Sequence, residues 1–202
     1  MNLNIEHVEK LVLHFGGAER NAVQAAGASD HAFTLESPEP GQQFAWPWPK
    51  APKIGELWPE GGGYYAGLFH ARDDGGDFHL ILSPADAGVK LQVPWGPSED
   101  LQAATSDWDG KSNTLALLSN AAKSVTWLKD SINGFTDWYL PSKRELAFLW
   151  AQVGELFGPG WYWSSTQYSR FYAWGQLFDD GYQLSSDKSY EGRARVVRRF
   201  SA

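Results

Sequence analysis

The chain has 202 residues, 43% of them apolar and 20% charged, which suits one globular domain plus an appendage and leaves enough chain to bury a core. A formal charge of −7 argues against gripping phosphate backbones by counterion release, which needs a dense lysine and arginine surface, so nucleic acid is not expected as a ligand. The absence of cysteine excludes disulfides, thiol nucleophiles and thiolate metal sites.

The first ten residues lack the basic and apolar regions of a signal sequence, and no stretch approaches about 18 uninterrupted apolar residues, so neither Sec export nor membrane insertion is expected. Eleven tryptophans, eleven phenylalanines and eight tyrosines exceed what a core of this size needs, which points some aromatic side chains at solvent or a partner.

In chain order, Ile5, Val8, Leu11, Val12 and Phe15 recur at helical spacing with Glu6, Glu9 and Lys10 between them. They predict a short amphipathic helix ending near Gly16-Gly17. Such a helix is marginal alone, so its stripe is expected to meet its own domain, a second copy or a larger assembly. Pro38, Pro40, Pro47, Pro49 and Pro52 then interleave with Trp46 and Trp48. Proline at this density predicts a stiff, extended connector, with a PxxP ligand as the sharper alternative. The expected division is a helical attachment or oligomerisation segment over 1–36, a Pro/Trp-rich linker over 37–53 and a ligand-binding domain over 54–202.

Within that domain, residues 61–69 and 77–84 predict a hairpin around Asp74-Gly75-Gly76. Leu115, Leu118, Ala122, Val125 and Leu128 mark one or two short helices. Ser142 with Glu145 three positions on is a capping box. Leu146, Leu149, Val153 and Leu156 form the buried stripe of the helix it opens, stopped by Gly158-Pro159-Gly160. Short strands are expected over 161–164, 173–178 and 194–200, between turn signals at Asp180-Gly181 and Glu191-Gly192. The pattern predicts an α+β fold with a small antiparallel sheet and two or more short helices, preceded by the N-terminal helix and linker.

Catalytic signals are sparse. All five histidines precede residue 80, and no HExxH, GxSxG, Walker or GxGxxG pattern occurs. Asp107 and Asp109 with Asn113, and Asp179 and Asp180 with Asp187, could each gather a cation or be solvated turn carboxylates. The latter set could also serve a glycoside hydrolase. Arg193, Arg195, Arg198 and Arg199 are expected to pair internally, with Arg195, Val197 and Arg199 on one face of a strand. No cofactor and no metal is expected.

Residues 162–190 hold five tyrosines (162, 168, 172, 182, 190) and six serines (164, 165, 169, 185, 186, 189). Tyrosine gives contact area at low rotamer entropy and serine gives adaptable hydrogen bonds, which is the composition of a paratope.

Several spaced motifs then carry a resemblance. Leu140, Pro141, Ser142, Glu145 and Leu146 open a helix, and Trp163, Ser164, Ser165 and Thr166 follow in a strand. Ala173, Trp174, Phe178, Gly181, Arg195, Val197, Arg198 and Arg199 close the pattern. Together they resemble the Lcl-like C-terminal domain family, a branch of the C-type-lectin-like fold. The likeness is nearest to the variable proteins of diversity-generating retroelements, including phage tail adhesins of the major tropism determinant type, and covers roughly residues 54–202. In such proteins the motif residues are scaffold and the residues between them vary. The resemblance implies a ligand-binding set of Arg170, Phe171, Tyr172, Gln176, Asp179, Asp180, Tyr182, Leu184, Ser185, Ser186 and Asp187, with Trp174 beside them. Asparagine codons mutated at adenine readily give Tyr, Ser, Asp and Phe, and residues 160–186 contain all four and no Asn.

The implied function is a phage tail receptor-binding protein, located at a tail tip or fibre of the virion. It would form a homotrimer, with a host surface protein, pilus or glycan and other tail proteins as partners. The alternative is a structural tail or baseplate protein docking another virion component through the same face. The EPN and WND motifs of calcium-dependent sugar binding are absent. The formylglycine-generating relatives of the fold require cysteine or a copper-thiolate site, so their activity is excluded here.

Overall fold

The computed structural model describes residues 12–15, 18–21, 51–72, 76–128 and 131–201. The chain divides into two compact units, with the boundary between Pro47 and Trp48.

In the first unit β1 (Val12–Phe15) and β2 (Ala18–Asn21) pair antiparallel, with Phe15 opposite Ala18. Val12 and Phe15 therefore belong to a strand and not to the expected helix. A Gly-Gly pair between two short segments is a hairpin signal as much as a helix stop, and periodicity alone does not separate the two over so short a run. The rest of the expected helix, over 5–11, and the connector up to residue 50 lie outside the described residues.

The second unit mixes short helices with two sheets. Its elements are β3 (Leu57–Trp58), β4 (Gly63–His70), β5 (Asp77–Leu82), α1 (Ala85–Gly88), β6 (Val89–Val93), α2 (Gly110–Ser119), α3 (Lys143–Val153), β7 (Trp161–Gln167), β8 (Tyr172–Leu177), β9 (Gln183–Asp187), β10 (Gly192–Arg195) and β11 (Val197–Ser201). One sheet runs in the order β6-β10-β7-β8-β9 and the other β11-β5-β4-β3. All pairings are antiparallel except β7 with β10, which meet in parallel at Tyr162 and Arg193. The fold class is α+β as expected, but with two sheets in place of one small antiparallel sheet.

The β4–β5 hairpin forms where the sequence predicts it, closing with His70 opposite Asp77. The strand expected over 194–200 is instead two strands. Val196 donates its N–H to Gly88 O at 3.1 Å and accepts from Ser83 N at 3.0 Å, and at this buried residue the chain leaves one sheet for the other. Arg195 and Arg199 therefore sit in different sheets, which corrects the single face expected for them.

Helix α3 forms as its cap dictates. Ser142 Oγ accepts from Glu145 N at 3.3 Å, and Glu145 Oε2 accepts from Ser142 N at 2.7 Å. Its apolar stripe, Leu146, Leu149 and Val153, is buried among Phe69, Phe78 and Leu80 of the β4–β5 hairpin, Tyr162 of the other sheet and Phe178 just past β8. Each such leucine contributes about 1.5–3 kcal/mol by leaving water. Leu156 falls past the helix, in a 3-10 turn over Gly154–Leu156.

In α2 the expected stripe is out of phase: Asn113, Thr114 and Leu117 are buried, whereas Leu115 is exposed and Leu118 half-buried. The inward face is polar because it ties loops together. Thr114 Oγ1 donates to Gly110 O at 2.7 Å and accepts from Leu140 N at 3.0 Å. Ala122, Val125 and Leu128 are buried in turns after the helix, within a core that includes Trp95, Trp138, Leu140 and Trp163.

Of the four arginines expected to pair internally, Arg198 and Arg199 meet carboxylates, Arg195 bonds backbone carbonyls and Arg193 lies over the Tyr162 ring. Arg198 meets Asp137 in bidentate fashion at 2.8 and 3.0 Å. Arg199 donates to Asp109 at 2.6 Å and to Tyr139 OH at 3.0 Å, and Arg195 donates to the carbonyls of Ser83 and Leu156.

Candidate ligand-binding face

The site begins with a bulge. Trp163 pairs with Gly175 but Gln167 pairs with Ala173, so β7 spends two more residues than β8 over this interval. The freed segment, Ser164, Ser165 and Thr166, is buried, and its polar groups bind neighbouring loops in place of a ladder. Ser164 Oγ donates to Trp174 O at 2.8 Å, Ser165 N to Pro141 O at 2.7 Å and Thr166 Oγ1 to Ser106 O at 2.8 Å. Lys143 N donates to Thr166 Oγ1 at 3.0 Å, which seats the first turn of α3 on the same strand. These buried, bonded hydroxyls are scaffold.

Beyond the bulge the β7–β8 connection is short and pinned. The N–H groups of Tyr168 and Ser169 both donate to Tyr172 O at 3.0 Å, and Lys188 N donates to Phe171 O at 2.9 Å. Arg170 Nε reaches Ser98 O at 3.3 Å. The backbone is held while the side chains are not: Tyr168 is 60% exposed, Phe171 52% and Tyr172 44%. Trp174 lies half-buried behind them, edge-on to Tyr168 at 5.3 Å between centroids, with the Lys143 ammonium 3.4 Å from its ring centre.

The predicted set does not form one continuous patch. Cross-strand partners share a face of a sheet. Tyr172 with Asp187, and Trp174 with Ser185, therefore lie on one side of the β8–β9 hairpin, while Ala173 with Ser186, and Gly175 with Leu184, lie on the other. The ends are separate too. Arg170, Phe171, Tyr172 and Asp187 cluster at the β7–β8 loop, whereas Asp179, Asp180 and Tyr182 occupy the β8–β9 turn, roughly 17 Å away along β8.

Gln176 is 1% exposed and so presents nothing to a ligand; this corrects its place in the set. Its amide donates to Gly181 O at 3.3 Å and its carbonyl accepts from Gln183 Nε2 at 3.1 Å, holding the hairpin turn.

The acidic clusters disperse. Asp179 accepts from Gly160 N at 2.7 Å and Asp180 from Tyr182 N at 2.9 Å, while Asp187 accepts from Ser189 at the other end. The Ser189 bonds hold the exposed Asp187 carboxyl below the ordinary range. The hairpin length sets Asp187 too far from Asp179 and Asp180 for a shared cation or a hydrolytic carboxylate pair. Asp109 caps α2 through Ser112 N at 3.0 Å while bonding Arg199, and Asn113 bonds the Ser106 backbone. Burial pushes the Asp109 carboxyl up, but Ser112 and Arg199 outweigh it and hold it below its usual value. Among the described residues no group of three or more His, Cys, Asp or Glu could hold a metal ion.

One supporting residue, Lys188, has no role assigned by the sequence reading. Lys188 is fully buried beneath the loop end, donating to Glu99 O and Gln167 Oε1, both at 2.7 Å, with its amine 4.7 Å from the Trp95 ring centre. Burial pulls its amine down to about 8, against the opposing pull of Asp100 and Glu99. Gln167 also accepts from Leu101 N at 2.9 Å, so the two side chains clamp residues 99–101 to the sheet. Nothing in the local composition separates this lysine from a solvated one. No protein-family model matches the chain and no curated protein is similar to it, so the geometry described above carries the functional reading.

Proposed function

We propose that residues 54–202 form a binding module of the C-type-lectin-like fold and that the chain is a receptor-binding protein of a phage tail. It engages a host surface molecule through the β7–β8 loop and the adjoining β8–β9 hairpin. The observation that carries this reading is the pairing of a fixed backbone with exposed aromatic side chains at Tyr168, Phe171 and Tyr172. Ordering such side chains costs little more on binding, and contacts of this type dominate interfaces. Display as a homotrimer multiplies weak sites through effective concentration.

The test is binding of labelled protein to bacterial host cells. The comparisons are a single variant Tyr168→Ala and a double variant Phe171→Ala/Tyr172→Ala. Wild type should bind, and the double variant, which removes only exposed side chains, should fold normally and bind at least about tenfold more weakly. Equal binding by all three, or none by any, would refute a receptor site here and favour docking to another virion protein.

A further inference from the structure

The sheet that carries the binding face ends in an open edge. Leu177 N donates to Tyr182 O and Lys188 N to Phe171 O, both at 2.9 Å. Hydrogen-bonded pairs alternate along an antiparallel ladder. Tyr182, Leu184, Ser186 and Lys188 therefore turn their backbone groups toward β8, and Gln183, Ser185 and Asp187 turn theirs away. Asp187 O accepts from Tyr190 N at 2.9 Å. The N–H and C=O of Gln183 and Ser185 and the N–H of Asp187 have no partner among the described residues.

The other outer strands of the two larger sheets are blunted. β6 kinks at Gln92, whose φ is 52°, and its register shifts opposite Gly192 and Ala194. β3 has two residues, and β11 carries Arg198 and Arg199 and is bridged by Tyr139. Such devices keep edges from pairing with other chains. β9 has one charge, Asp187 at its last position, and otherwise lacks them: its five pairs with β8 run without a shift, and it contains neither proline nor an outward lysine.

We propose that β9 is a docking edge for an extended segment of another protein, which adds to the sheet as a sixth strand and carries basic residues at its flanks. This reading rests on the proposed receptor-binding role and names the chemistry of the partner. Backbone pairing supplies affinity in this mode, and alternate side chains supply specificity. Exposed Tyr182 and Leu184 offer apolar contact beside the edge. The exposed charge beyond the strand ends is mainly acidic, with Asp179 and Asp180 past one end and Asp187 and Glu191 at the other, against the cations Arg170 on the β7–β8 loop and Lys143 over Trp174. A second copy fits poorly. Antiparallel pairing of β9 with itself, centred on Ser185, brings the Asp179–Asp180 end of each copy beside the Asp187 and Glu191 end of the other, and like charges repel.

The test uses three peptides: Lys-Lys-Thr-Val-Thr-Val-Thr-Lys, the same peptide N-methylated at alternate amides, and an analogue with glutamate for lysine. The lysine peptide should slow hydrogen exchange at the Gln183 and Ser185 amides, and should bind at least about tenfold tighter than either analogue. Equal binding by the methylated or glutamate form, or no binding by the lysine peptide, would overturn the proposal. So would a β9-paired dimer forming without peptide. On the protein side, Ser185→Pro removes an N–H that faces away from β8, a substitution edge strands tolerate. It should weaken both peptide and host-cell binding by a similar factor. Host-cell binding that survives Ser185→Pro but is lost in Phe171→Ala/Tyr172→Ala would overturn strand addition and leave the receptor reading intact. If Ser185→Pro fails to fold, the methylated peptide with wild-type protein decides alone.

Discussion

The buried amine of Lys188 makes the stability of the domain depend on alkaline pH. An unfolded lysine titrates near 10.4, whereas burial brings this one to about 8. Between those values the unfolded chain holds a proton that the folded chain has released, so stability rises with pH across the window and is lowest below about 8. Integrating one site between pH 8 and pH 10 gives a gain of about 2 kcal/mol. Deprotonation does not undo the contacts, since a neutral amine keeps two N–H groups for its two acceptors, Glu99 O and Gln167 Oε1. The assay is urea unfolding at pH 7, 8, 9 and 10 for wild type and Lys188→Met, each pair differenced to cancel tyrosine titration. The wild type should gain on the variant by about 2 kcal/mol between pH 8 and 10. A flat difference would mean that the amine stays charged in the fold, and the reasoning from burial would fail.

Other variants probe the scaffold. Glu145→Ala removes half of the capping box and leaves the Arg199 charge, 3.6 Å from Glu145, short of a buried partner, so the urea midpoint should fall by an amount worth about 2–4 kcal/mol. A loss under about 1 kcal/mol would show that Asp109 suffices for Arg199. Gly175→Ala places a Cβ 2.4 Å from the Trp161 ring and 2.7 Å from Tyr162 O, so it should cost about 1–3 kcal/mol and shift tryptophan emission. Unchanged emission and stability would show that the ring and the Tyr162 carbonyl both give way freely.

Much of the scaffold was legible because it obeys local rules. The Ser142–Glu145 box and the spacing of Leu146, Leu149 and Val153 each act within one helix, and both hold in the fold. β9 escaped notice because its residues, Gln183–Asp187, are mostly polar: an edge strand with one partner needs little apolar alternation. The polar side of α2 misled for a related reason. Asn113 and Thr114 face inward to satisfy loop backbone, a demand set by residues such as Ser106 and Leu140 that are distant in sequence. In the candidate site, composition identified Phe171, Tyr172 and Tyr182 as exposed aromatics. It carried no information on which side or end of the hairpin each would occupy, since that depends on register, and the bulge at 164–166 resets it.

The placement of β10 governs when the molecule can come together. β10 lies between β6 and β7, and Val93 finds its partner only in Gly192. A ribosome delivers β6 long before that partner, so the first sheet stays split throughout most of synthesis and its closure is a late, long-range event. Until residue 195 has emerged, the tryptophans that line the sheet wait without their final neighbours. A chain stalled or cut before that point leaves β6 and one edge of β7 without the strand that lies between them. The sheet is thereby completed only when the chain's next-to-last strand arrives.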